Sequence, residues 1–346
     1  MRQAPWRFRR RPFRYACALF IFLYATNPLK DHQRGYRLRC NTDWLGIPQV
    51  QISGSIRSHI IRIQIVVAYC DGDLEEVWTT IRKLEQQSNA YVIREVYLYA
   101  KCSTALTLAK APPHVRIIHL SNVGRCDHTY LHHIVSTLYR DESSEPSDVV
   151  LFLKDSNTVH QPGYDTVSVD AMLQRAATKE VAFACGLMPG SFGKYRALSS
   201  WHDAKTLLEF KKSRYRNVAS MHEMRDKAAF KGDFRNMKEW LEKTTKISTP
   251  RDGDIMQVCY GGVFATSVYS IRRWEHSMWV RLKHSLERGD NIEESHFMER
   301  TWAYLLSPSP SAATTRAIIQ MSRGIIERYS RGLLGTLYGC ASEVGM

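Results

Sequence analysis

The sequence predicts an α/β protein: a doubly wound, mostly parallel sheet with a helical insertion and C-terminal helices. Three observations carry this. Short β-branched apolar runs recur between residues 61 and 187, segments with apolar residues at helical spacing separate them, and polar turns such as DGD, SNVGR and DSN follow the runs directly.

Order begins at IRIQIVVAYC (61–70), a continuous apolar run of the kind buried in parallel sheets. After DGD comes LEEVWTTIRKLEQQ, whose Leu74, Val77, Trp78, Ile81 and Leu84 keep helical spacing. REVYLYAKC and HVRIIHL supply a second and a third strand, and SNVGRCDHTYLHHIVSTLY leads into a helix beginning near Asp127. DVVLFLKDS is the fourth strand, a helix is expected from about 166 to 178, and VAFACGL is a further strand.

Residues 205–246 are expected to form a basic helical insertion. Glu209, Glu223, Asp226, Asp233, Glu239 and Glu242 dilute its positive charge, which favours a solvated helical face over a nucleic-acid surface. No nucleic-acid partner is expected. CYGGVFATS (259–267) returns to strand, amphipathic segments follow at 272–287 and 292–306, and the tail 311–346 carries one more basic helix, about 314–337.

With 346 residues and a net charge of +14, the chain can bury a sizeable core and is unevenly basic. Arg2, Arg7, Arg9, Arg10, Arg11 and Arg14 all precede the first acid, Asp31. Then comes YACALFIFLYATNPL (15–29), an uncharged run that spans roughly 22 Å as a helix, short against a ~30 Å hydrocarbon core. A cleaved signal peptide and an uncleaved signal anchor compete for this run, and the poor cleavage site favours the anchor. The expectation is therefore a single-pass type II protein of the Golgi or endoplasmic reticulum membrane, with 1–14 cytoplasmic, 30–60 a stem, and 61–310 a lumenal domain. The eight cysteines show no CxxC spacing, and of the seven beyond Cys17 at least one stays unpaired.

The chemistry-bearing residues gather after the strands. Asp71 and Asp73 follow the first strand, where carboxylates can accept hydrogen bonds from a base or ribose; Asp73 also stands where the next helix needs a cap. Gly124 and Arg125 precede a helix N-terminus, a candidate phosphate site, with His128 in the first turn. His128 and His132 have zinc-ligand spacing, but no HExxH or paired cysteine supplies a third ligand, so an anion site or simple packing is favoured over zinc. Asp155 and Asn157 at the end of the fourth strand offer oxygen donors to a hard divalent cation, manganese or magnesium, or else form a polar turn. Glu293 and Glu294 sit in the first turn of a helix, where the dipole favours carboxylates; the sharper reading makes one of them a general base for an acceptor hydroxyl. The tripeptide Arg288-Gly289-Asp290 is taken as a chance occurrence.

The segments VVAYCDGDLEEVWTTIRKL, VYLYAKC, LSNVGRCDHTYLHHIVSTLY, DVVLFLKDS, CYGGVFATS and EESHFMERTWAYLL occur in an order that resembles an uncharacterised family of glycosyltransferase-like proteins, over roughly residues 62–306. Similarity to GT-A glycosyltransferases at large is weaker. The resemblance implies a GT-A-like nucleotide-sugar-binding fold, a nucleotide-sugar donor, a divalent cation, a glycan or protein acceptor and type II secretory topology. Position by position it implies Asp155 and Asn157 as the cation-binding pair and Glu293 or Glu294 as the base. On this reading the donor lies across Asp71, Asp73, Gly124, Arg125 and Asp155, and the acceptor near Gly261 and Gly262. The uncharged Asn157 and the neighbouring Lys154 depart from the pattern and bear on metal dependence. The alternative is a non-catalytic module of the same fold that binds a glycan or a protein.

Overall fold

The computed structural model describes residues 60–70, 72–102, 112, 114–155, 166–179, 181–187, 201–211, 230–313 and 315–316. Strand β1 (Ile61–Tyr69) leads to helix α1 (Glu75–Gln86), then β2 (Tyr91–Ala100) and β3 (Val115–His119). Helix α2 (Arg125–His133) runs on through a π turn (Ile134–Leu138) to β4 (Val149–Lys154), followed by α3 (Val169–Ala177) and β5 (Phe183–Cys185). Next come β6 (Trp201–Asp203), α4 (Ala204–Leu208), α5 (Met237–Thr245), β7 (Ile255–Gln257) and β8 (Phe264–Ser267). The described part closes with α6 (Val268–Arg272), α7 (His276–Ser285) and α8 (Glu293–Leu306).

The main sheet has six strands in the order β3-β2-β1-β4-β8-β5. The pairs β1–β2, β1–β4 and β2–β3 are parallel, whereas β8 runs antiparallel between β4 and β5. A mixed α/β fold on a mainly parallel sheet is thus established. A separate two-stranded sheet joins β6 to β7.

Both faces of β1 and β4 are buried, which explains their unbroken apolar runs: alternate residues serve opposite layers. Ile63, Ile65, Val67, Leu151 and Leu153 pack under α1 and α3. Val66, Val150 and Phe152 face the other layer, where Tyr130 of α2 meets Phe264 edge-on, Trp302 of α8 packs against Phe264, and Trp279 of α7 stacks on Trp302.

Leu207, Leu208, Met237, Trp240 and Leu241 are buried in that same layer, so the described part of 205–246 contributes to the core. Its apolar residues sit at helical spacing on α5, and the lysines between them occupy the outer, solvated face. One expectation is corrected here, the signal anchor: among the described residues no helix is long and apolar enough to cross a membrane. Residues 15–29, which carried that expectation, lie outside the described residues, as does nearly all of the 314–337 helix. A run of about fifteen residues is moreover shorter than the ~20 that a span requires.

Candidate functional site

The parallel strands β1, β2 and β4 deliver their carboxyl ends to one edge of the sheet, and the predicted site residues lie there or on the helices that cover it. A disulfide ties Cys70, after β1, to Cys102, after β2. A second joins Cys185, at the end of β5, to Cys259 ahead of the Gly-Gly turn. Cys126 is a free cysteine, and burial pushes its thiol up to about 12.

Asp155 turns back onto the loop after β1. Its Oδ2 accepts hydrogen bonds from the N–H groups of Cys70 (2.7 Å) and Gly72 (3.0 Å). Gly72 is required for this approach, because a Cβ there would lie 2.9 Å from the Asp155 Cγ. Asp73 is exposed and its Oδ1 accepts from Glu75 N at 2.9 Å, a local turn just ahead of α1, whose N-cap position is Leu74 rather than Asp73. Asp71 and Asn157 lie outside the described residues.

The start of α2 has an unusual backbone. Gly124 and Arg125 both take left-handed conformations, with φ of +59° and +52°. Three contacts hold them. Lys101, buried at the end of β2, donates to the carbonyls of Val123 and Arg125. Gly124 N donates to Gly289 O at 2.7 Å, and Arg125 N donates to Asp290 Oδ1 at 3.3 Å. The carboxylate at this helix start is therefore supplied by the chain's own Asp290. The Arg-Gly-Asp tripeptide has a structural role: Arg288 also pairs with Glu294 (2.8 Å) and donates to Phe230 O.

Beyond that clamp, the Arg125 guanidinium lies 3.3 Å from His296 Nδ1 and 4.0 Å from Glu299 Oε2. Glu299 Oε1 accepts from Gly261 N at 3.1 Å. Arg300, 3.8 Å from Glu299, is held between the rings of Phe210 and Tyr260, 3.9 and 4.7 Å from their centroids. Burial opposes ionisation of Glu299, yet Arg125, Arg300, the Gly261 N–H and Lys154 together hold its carboxyl below the usual value. Asp127, buried behind them, accepts from Trp302 Nε1 at 2.7 Å. Burial first, and Glu299 second, push its carboxyl up to about 7. Gly261 and Gly262 turn with φ of +90° and +70°. The Gly262 carbonyl accepts from Tyr130 OH at 2.6 Å, and a Cβ on Gly262 would meet Cys126 Sγ at 2.8 Å.

The structure gives other partners to several predicted residues. Glu293 is fully buried and its Oε2 accepts from Gly232 N, while Glu294 is buried against Arg288. Both carboxylates fasten the 230–232 segment to α8. The carboxylate that meets Arg125 and the Gly-Gly turn is Glu299, one to two turns further along, which sequence reasoning passed over. His128 is buried, with Nε2 3.6 Å from Glu287 Oε1, beyond hydrogen-bond reach; burial, with Lys101 and Lys283 nearby, lowers it to about 4 and keeps it neutral. Its ring centroid is 6.4 Å from that of His132, and His133 turns into the core to bond Gln64 and Tyr99. Among the described residues no group of three or more His, Cys, Asp or Glu is placed to hold a metal ion.

Among the described residues the implied divalent cation therefore finds a poor donor set. Asp155 already accepts two backbone hydrogen bonds on one oxygen, and the residue beside it is a lysine. No protein-family model matches this chain, and no curated protein matches it either.

Proposed function

We propose that the protein is a glycosyltransferase-like enzyme that binds a nucleotide-sugar donor at the carboxyl edge of its main sheet and transfers the sugar to a hydroxyl of a glycan or protein acceptor. One observation carries the reading. Lys101, Arg125, Lys154, Asp155, Glu299 and Arg300 converge at the edge where mainly parallel α/β sheets bind ligands, beside a turn of two left-handed glycines. The antiparallel β8 inserted between β4 and β5, and the tight loop after β1, support the GT-A-like form of the fold.

In this reading Arg125 and Lys154 face the donor diphosphate. Glu299, kept ionised by its arginine neighbours, takes the proton of the acceptor hydroxyl. The acceptor oxygen bonds the anomeric carbon, the bond from that carbon to the phosphate oxygen breaks, and its electron pair stays on the departing diphosphate. The two disulfides support an oxidising compartment, the lumen of the endoplasmic reticulum or Golgi. The test is release of nucleoside diphosphate from a panel of sugar nucleotides by the purified chain and by Glu299→Gln. The expected result is turnover by the wild type, lost by about 100-fold or more in the variant, with nucleotide binding retained. Absence of both turnover and nucleotide binding in the wild type would sink the reading.

A non-catalytic glycan- or protein-binding module of the same fold is the second reading, favoured by the burial of Glu293 and Glu294 within the protein. Nucleotide binding without turnover, unchanged in Glu299→Gln, would select it.

A further inference from the structure

Lys154 is the last residue of β4, and its alternation with Val150 and Phe152 puts it on the sheet face covered by α2 and α8. Its side chain is half-buried, and its ammonium makes no hydrogen bond or ion pair among the described residues. That is unusual company for an ammonium group. Burying an unpaired charge is costly, and a chain keeps one where a ligand will answer it.

The neighbouring cations already have partners. Lys101 is engaged by two backbone carbonyls, Arg300 is held between two aromatic rings, and Arg125 lies against His296 and Glu299. Lys154 favours the charged forms of Cys126 on α2 and Glu299 on α8, in keeping with its place on the face those helices cover. Its backbone leads directly into Asp155, whose Oδ2 is occupied by the N–H groups of Cys70 and Gly72. A divalent cation bound by Asp155 would have a positively charged residue next to it in the chain.

We propose that Lys154 takes the place of the divalent cation, its ammonium neutralising the diphosphate of a nucleotide ligand, so that binding at this site is independent of metal. The inference rests on the nucleotide-sugar reading of the site and gives that site a cation of its own. A lysine suits this role because three rotatable donors on a flexible stem can follow phosphate oxygens as a point charge, with no demand for coordination geometry.

The experiment is calorimetric titration of the full chain with UDP, GDP and CDP, each in EDTA and in manganese chloride, using the wild type, Lys154→Met and Lys154→Arg. Thermal unfolding by circular dichroism checks the fold of each variant. The expected result has three parts. At least one nucleoside diphosphate binds the wild type in EDTA with an affinity within about threefold of that in manganese. Lys154→Met weakens that binding about tenfold, equivalent to ~1.4 kcal/mol, and Lys154→Arg restores most of it. Wild-type binding that manganese strengthens tenfold or more overturns the proposal while leaving the nucleotide site standing, and this arm needs no variant. Metal-independent binding that Lys154→Met leaves unchanged also overturns it. If no nucleoside diphosphate binds in either condition, the functional reading fails and the proposal fails with it.

Discussion

Relative to the wild type, Asp127→Asn should be stabilised by more at pH 8 than at pH 5. Asp127 is buried against Trp302, and burial with Glu299 nearby raises its carboxyl from 3.8 to about 7. The sign follows from linkage. Between those two values the folded state holds a proton that the unfolded state has released, so this group favours folding at low pH and loses that contribution as pH rises towards 7. Integrated from pH 5 to pH 8, the loss is ~2.5 kcal/mol. Asparagine keeps an Oδ1 for the Trp302 N–H and carries no charge at either pH. The measurement is urea unfolding of wild type and variant at both pH values, with other titrations cancelling in the difference. A gap between the two proteins that is the same at pH 5 and pH 8, within ~0.5 kcal/mol, would refute a raised carboxyl at this position.

Two other substitutions test the clamp at the start of α2. Gly124→Ala should destabilise by ~2–4 kcal/mol, because a Cβ would lie 2.7 Å from that of His128 and 2.8 Å from Leu286 on a backbone with φ of +59°; a loss below ~0.5 kcal/mol in denaturant unfolding would contradict this geometry. Arg288→Ala should cost ~2–3 kcal/mol, since it strands the buried Glu294, and the loss should shrink in the background of Glu294→Gln. Strict additivity in that double-mutant cycle would show that the pair is not coupled.

The strands were legible because burial on both faces leaves an apolar run that needs no partner to be recognised. IRIQIVVAY and VVLFLK are such runs, and both sit at the centre of the sheet. Helix α1 was equally plain, with its apolar residues on one face. The direction of β8 was not legible, since nothing in FATS records which way its partner runs. In the basic 205–246 stretch the charge lies on the outer face of α5, at Lys238 and Lys243, while Met237, Trp240 and Leu241 fix the helix in the core. At the site, Gly124 and Arg125 could be singled out from their place before a helix, yet their left-handed backbone depends on Lys101 and Asp290, far away in sequence. Glu299 was missed because which face of α8 meets the Gly-Gly turn is decided by tertiary packing. Glu293 and Glu294 drew attention as first-turn carboxylates, a signal that capping and catalysis share.

The contacts between residues 124–125 and 289–290 also set a timetable for the growing chain. A nascent polypeptide that has emerged only through β4 carries Gly124, Arg125 and Asp127 but none of Gly289, Asp290 or Trp302 to hold them. Its β4 strand has one neighbour in place and waits for β8, more than a hundred residues later, to take up the other edge. The first half of the molecule must therefore leave the synthetic machinery with an open sheet edge and an uncovered aromatic face around Tyr130 and Phe152. Pairings so distant along the chain close slowly. Chaperone occupancy should accordingly concentrate on the chain lengths between the end of β4 and the docking of α8.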